Sequence, residues 1–218
     1  MRYASLDLET TRIDPKTPDA ILMISIVAEN TKALEVPVDQ LPHFTAIVFP
    51  DTQLITGSLT ALAMNQWILV AIEAKRTKMT RDDFNKKYRE LGILEPTLVK
   101  AWAAVDNYFF GDLTQVVFNA NLFLDQHFGT KDRITLAGKN VMGFDMLFLP
   151  PELGKRFRHS AIDPGSVFVD LVNDDRVPDS TEVIKRSGVS GEGTHDALMD
   201  ARIMVGAIRS RIPTCKLS

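Results

Sequence analysis

The chain is poor in most features that mark secreted or membrane proteins. It has a single cysteine, Cys215, in 218 residues, so no disulfide can close within it, and a reducing, intracellular, cytoplasmic setting is expected. No basic-then-apolar leader precedes the first acidic residues. The longest apolar run near the start, 20–28, falls far short of the roughly 20 residues that a membrane span needs. A soluble protein with no membrane partner is therefore expected. Positive charge is not in excess either: the net charge is −3, which excludes a broadly basic nucleic-acid coat while leaving room for a local basic groove. Internal repeats and low-complexity tracts are absent as well. What remains is ordinary for a globular protein with a real core, 45% hydrophobic and 24% charged. The length fits one domain over 1–218, with room for an insertion.

The most informative stretch is the first. From Arg2 to Glu9 the residues alternate: Ala4, Leu6 and Leu8 point one way, and Tyr3, Ser5, Asp7 and Glu9 the other. This is the pattern of a strand with one apolar face and two carboxylates side by side on the opposite face. Same-face neighbours sit roughly 7 Å apart at the backbone. Two such acids repel unless a cation lies between them, and hard divalent metals prefer oxygen ligands. A solvated strand end is the plainer reading of the same residues.

Further strands are expected over 20–29, 43–49, 133–138 and 167–172, the first two of these forming an antiparallel meander with the opening stretch. Between them, Ala61, Met64, Ile68 and Ile72 recur at helical spacing, and Thr80 with Asp83 has the form of a capping box ahead of Phe84 and Tyr88. Helices are also expected from 97 to about 110 and over 144–149 and 181–186. Another, striped with Leu113, Val116, Val117, Ala120, Leu124 and Phe128, should stop at Gly129. Gly188, Gly191 and Gly193 mark a loop that leads to a last amphipathic helix lined by Ala197, Leu198, Ala201, Met204, Val205 and Ile208. Thr194 can cap that helix. The sum is an α/β or α+β sheet of about five strands flanked by helices.

Asp145 is a lone acid in an apolar segment after a strand, either a helix cap or a carboxylate brought to the carboxyl end of the sheet. On an ideal helix His195 and Asp200 would stand about 140° apart, so if they act together His195 must sit at the helix entrance. Lys75, Arg76, Lys78, Arg81, Lys86, Lys87 and Arg89 form a local basic excess. It reads as a solvated helix face or as a guide for a phosphate backbone. Asn65, Trp67 and Trp102 are candidates for base stacking or for ordinary packing.

Taken together, Leu6-Asp7-Leu8-Glu9-Thr10-Thr11, Gly138-Lys139-Asn140-Val141-Met142-Gly143-Phe144-Asp145 and His195-Asp196-Ala197-Leu198-Met199-Asp200-Ala201 resemble the motifs of the DEDD exonucleases, histidine subfamily. Those are 3′–5′ exonucleases of the ribonuclease H-like fold, a resemblance that narrows the expected architecture to α/β with a mixed sheet. The motifs keep the family's order and span almost the whole chain. Arg12 departs from the glycine common in relatives, Asn140 lies one residue further from Asp145 than usual, and residues 57–110 exceed the compact family core, as an inserted helical segment would.

The resemblance implies that Asp7, Glu9, Asp145 and Asp200 hold two divalent cations, Mg2+ or Mn2+, and that His195 is the general base. It also implies that Leu8, Thr10 and Phe144 meet the 3′ end of single-stranded DNA or RNA, with a polymerase as a further candidate partner. Two-metal sites hold their ions about 3.5–4 Å apart to clamp the attacking and leaving oxygens, and imidazole titrates close enough to neutrality to serve as base. Three functions stay open: a 3′–5′ exonuclease on single-stranded DNA or short oligonucleotides, which is preferred; an exoribonuclease or oligoribonuclease; and a non-catalytic module that binds nucleic acid or a polymerase.

Overall fold

A computed structural model describes residues 1–12, 21–50, 55–130, 133–191 and 195–212. The start of the second strand at Ala20, and Gly193, Thr194 and Cys215, lie outside the described residues. The alternating first stretch is β1 (Arg2–Thr10), the apolar run after it is β2 (Ile21–Asn30), and β3 (His43–Val48) completes the meander. All three pair antiparallel. Four helices follow: α1 (Leu59–Met64), α2 (Gln66–Thr77), α3 (Arg81–Glu90) and α4 (Glu95–Asn107). Then come β4 (Phe109–Gly111), α5 (Leu113–Phe128), β5 (Ile134–Ala137), α6 (Asp145–Phe148), α7 (Pro151–Gly154), β6 (Phe157–Ile162), α8 (Pro164–Phe168), α9 (Ser180–Ser187) and α10 (Ala197–Ser210). The sheet order is β4-β3-β2-β1-β5-β6, and the β3–β4, β1–β5 and β5–β6 pairs are parallel. β1 is thus central, with a strand on either edge.

Among the described residues the sheet has six strands, against about five expected, and they are not quite the expected ones. The strand expected over 167–172 does not form. Asp163 caps α8 instead, accepting from the Gly165 N–H at 2.7 Å with Pro164 in the first turn, and Leu171 and Val172 stand about 90% exposed. An Asp-Pro pair favours a helix start over the apolar residues behind it. β6 hides its signal at the sheet edge, where Arg158, His159 and Ser160 are exposed. β4 is three residues long and follows directly on α4, too short to show a period.

Helices cover both faces of the sheet. On one, Ala4, Leu6, Leu8, Ile24 and Ile26 pack with Val116, Ala120, Leu124 and Phe128 of α5 and with Phe148 and Leu153. Burying each large side chain contributes about 1.5–3 kcal/mol. On the other face Tyr3, Val27 and Ala137 meet Leu198, Ala201, Val205 and Ile208 of α10. Beside them Met23 and Ile47 meet Trp67, Ile68, Ile72, Phe84 and Leu98 of α2–α4. The face of β1 that carries the acids is therefore covered rather than solvated. Ser5 donates its hydroxyl to the Ala201 carbonyl at 2.9 Å beneath α10.

Candidate active site

The carboxylates of β1 gain their fixed spacing from the ladder. Asp7 lies opposite Ser25 and Glu9 opposite Met23, and the register slips between Glu9 and Thr10, so regular pairing ends at the site. On the other edge β5 pairs with β1 only at Ala4–Leu136 and Ser5–Ala137. The Leu8 N–H lies past that short ladder, and it donates to Asp145 Oδ1 at 3.0 Å. Asp145 takes the place that a longer β5 would have filled.

The turn that delivers Asp145 is built on Asn140. Asn140 adopts φ +54°, its N–H donates to Asp163 Oδ2 at 2.9 Å, and its carbonyl accepts from Gly143 and Phe144 at 3.0 Å. This gives Asn140 a turn-forming role.

Asp200 comes from the first turn of α10. The cap of that helix is Asp196, which accepts from the Leu198 and Met199 N–H groups at 3.1 and 3.3 Å. His195 stands outside the helix, immediately before the cap, exposed and with φ +48°. Its expected place at the helix entrance is where it lies.

Three of the four expected acids lie within mutual reach. Asp7, Glu9 and Asp200 can each direct one carboxylate oxygen into a group whose members all lie within 4.8 Å of one another. Oxygens on opposite sides of one hard cation are separated by about 4–5 Å, so these three suit a shared ion. Asp145 stands beside the set, buried, and joins it through Asp7.

The carboxyls of the cluster act on one another through their charge. Burial, then Asp145, Glu9 and Asp200 push the Asp7 carboxyl well above its ordinary range. Burial and Asp200 raise Glu9 to about 8, against smaller opposing effects of Asn65 and Lys100. Burial raises Asp145 to about 7, opposed by backbone N–H donors including that of Leu8. Buried carboxylates crowded in this way either hold protons or need cations.

Two clefts open on the cluster, and Asp7, His195 and Asp200 line both. The smaller, about 280 Å³, is walled by Leu8, Thr10 and Phe144, together with Arg12, Ser58 and Asn65. All three residues expected to meet a substrate thus line one cleft. The larger, about 500 Å³, adds Lys139, Ser180, Thr181 and Met204. Gly57 sits tight against the backbone just beyond β1: a Cβ there would collide with the Thr11 carbonyl, and the Ser58 N–H donates to that same oxygen at 2.9 Å.

Several contributors were not read from the sequence in these roles. Asp196 looked like any residue before an apolar stripe, yet it is buried and its charge raises both Asp7 and Glu9. Asn65 is buried and donates to the Thr10 carbonyl at 3.1 Å. Trp67 is buried in the α2–α4 core, and Trp102 packs edge-on against Phe84 at 5.0 Å. Much of the basic segment is also tied up within the chain. Lys75 donates to the Val105 carbonyl, Arg76 to that of Pro50, Lys87 to Glu73 and Arg89 to Glu95.

Among the described residues, no helix is long and apolar enough to cross a membrane. No family model matches the chain, and no curated protein sequence does. Solved structures do share its fold. One is the crystal structure of cell-death related nuclease 4 (CRN-4), at a TM-score of 0.53 and 13% sequence identity, over 95% of this chain and 62% of that one. This chain thus spans less than two thirds of that protein's length, and at such identity the likeness is one of fold. The mixed six-stranded sheet with helices on both faces is accordingly an α/β fold that this chain shares with that nuclease.

Proposed function

We propose that this chain is a metal-dependent 3′–5′ exonuclease that hydrolyses single-stranded DNA or short oligonucleotides to nucleoside 5′-monophosphates. The observation that carries the reading is the mutual reach of Asp7, Glu9 and Asp200, drawn from the first strand and the last helix. The donor set fits Mg2+ or Mn2+: all-oxygen, anionic, and crowded enough that protons are retained in place of cations. Asp7, Glu9 and Asp200 would hold the ions, with Asp145 completing the set beside Asp7. Two such ions supply Lewis-acid stabilisation of the attacking and leaving oxygens.

The chain's own groups do the rest. His195 takes a proton from the attacking water as its oxygen bonds to phosphorus. The bond from phosphorus to the 3′ oxygen of the penultimate nucleotide breaks, and that oxygen takes a proton from solvent to leave as a hydroxyl. Asp145, tied to the Leu8 N–H, fixes the β1 backbone beneath the reacting group. Leu8, Thr10 and Phe144 seat the terminal nucleotide in the smaller cleft. We read 1–218 as a single exonuclease domain in which 57–110 is an addition to the compact core.

The test uses 5′-labelled single-stranded DNA and RNA of one sequence, with Mg2+, Mn2+ or chelator. A ladder that shortens from the 3′ end on DNA, and vanishes with chelator, supports the reading. A ladder on RNA alone moves the substrate to RNA. Folded protein that cuts neither polymer would leave a binding module.

A further inference from the structure

His195 is held in an uncommon way. It is not glycine, yet its backbone sits in the left-handed region at φ +48°, a conformation that persists where the surroundings impose it. Two donors from the helical stretch between β3 and β4 meet its carbonyl oxygen. The Trp67 indole N–H of α2 donates at 3.0 Å and the Lys100 ammonium of α4 at 3.2 Å. The donors also hold each other, with Lys100 Nζ lying 4.2 Å from the centre of the Trp67 ring. Lys100 reaches the next residue too, 3.6 Å from Asp196 Oδ2, and Asp196 caps α10. Trp67 itself is anchored in the α2–α4 core, 4% exposed. A rigid aromatic donor and a cation therefore grip the peptide from which the imidazole projects, at the edge of both clefts.

We infer that Trp67 and Lys100 are positioning residues for His195, and that helices α2 and α4 serve the site by clamping its carbonyl. This rests on the proposed role of His195 as general base. Neither residue needs to touch substrate. Each acts by narrowing the positions open to the imidazole, and a misplacement of about 1 Å at a reacting group can cost on the order of a hundredfold in rate.

The experiment compares Trp67→Phe, which keeps the ring and deletes the N–H, with Lys100→Gln, whose side chain is about 29% exposed. Lys100→Gln supplies the reading if the buried Trp67→Phe protein fails to fold. Each variant is made in the wild-type and in the His195→Ala background. In the wild-type background we expect kcat to fall about tenfold or more, with KM within about twofold. In the His195→Ala background we expect no further loss, because residues that act through one group are not additive.

Imidazole ring resonances of the metal-free protein give a readout independent of turnover. Those of His195 should shift or broaden in both variants, while those of His43, His127 and His159 stay in place. Equal losses of kcat in both backgrounds would overturn the clamp, as would folded variants with unchanged His195 resonances. A wild-type chain that cleaves nothing would instead overturn the exonuclease reading, and the resonances alone would then decide the clamp.

Discussion

Asp7 and Glu9 project from a strand paired with β2 along its length, so their positions are set mainly by backbone hydrogen bonds that any sequence able to form the strand would reproduce. His195 and Asp200 come from the start of a helix, and the chain before Asp196 is held by the side chains of Trp67 and Lys100, far away in sequence. The strand half is rigid by construction. The helix half is rigid only while particular residues stay in place. A substitution should therefore act through charge in the first half and through geometry in the second.

Asp7→Asn attacks the strand half and carries the largest expected effect. Losing one anionic ligand should lower cleavage by about a thousandfold or more. The metal-free fold should become more stable, because one charge leaves a buried group of like charges. Thermal unfolding with chelator, beside a single-turnover assay, reads both; a destabilised variant would contradict the charge argument. His195→Ala comes next, with a loss of about a hundred- to ten-thousandfold and Mn2+ affinity held within about twofold. A large loss of Mn2+ binding would mean that His195 is a ligand rather than a base.

pH separates the halves in another way. Without cations, the folded chain keeps protons on Glu9 up to about 8 and on Asp145 up to about 7, whereas unfolded carboxyls release them near their ordinary values, about 4. Between these limits the folded state binds more protons, so the stability of the metal-free protein is greatest at the acid end and falls as pH rises to about 8. Saturating Mg2+ should flatten that slope, since it replaces the protons. Tm measured from pH 5 to 8 with and without Mg2+ checks this, and parallel curves would exclude cation binding at these acids.

The smallest effect belongs to the basic segment. Lys87 is already paired with Glu73 at a partly exposed position, so Lys87→Ala should change stability by less than about 1 kcal/mol. It should also leave the salt dependence of DNA binding unaltered. A shallower salt slope would show that this face tracks the phosphate backbone after all.

The same contrast governs how much could be read in advance. The β1 alternation, the α5 stripe with its stop at Gly129, and the stripe of α10 are local patterns, and each appears where its spacing placed it. The acids fell into view because carboxylates at strand and helix ends are conspicuous. What escaped depends on distant partners. β6 is an exposed edge strand without alternation, β4 exists only because β3 offers a parallel edge, and the 167–172 stretch was apolar enough to mimic a strand. Asn65 and Trp67 read as stacking or packing residues, and nothing in the sequence set Asp196 and Lys100 apart. Their roles arise from the packing of α1–α4 beside β1 and α10, which no local window contains.

The central claim is that these acids gather around divalent cations. Titrating Mn2+ into wild-type protein and into Asp7→Asn and Asp200→Asn variants by calorimetry tests it most directly. Binding by the wild type with release of protons, weakened about tenfold or more by either substitution, is the predicted result. Equal Mn2+ affinity in all three folded proteins, or no binding to any, would contradict it.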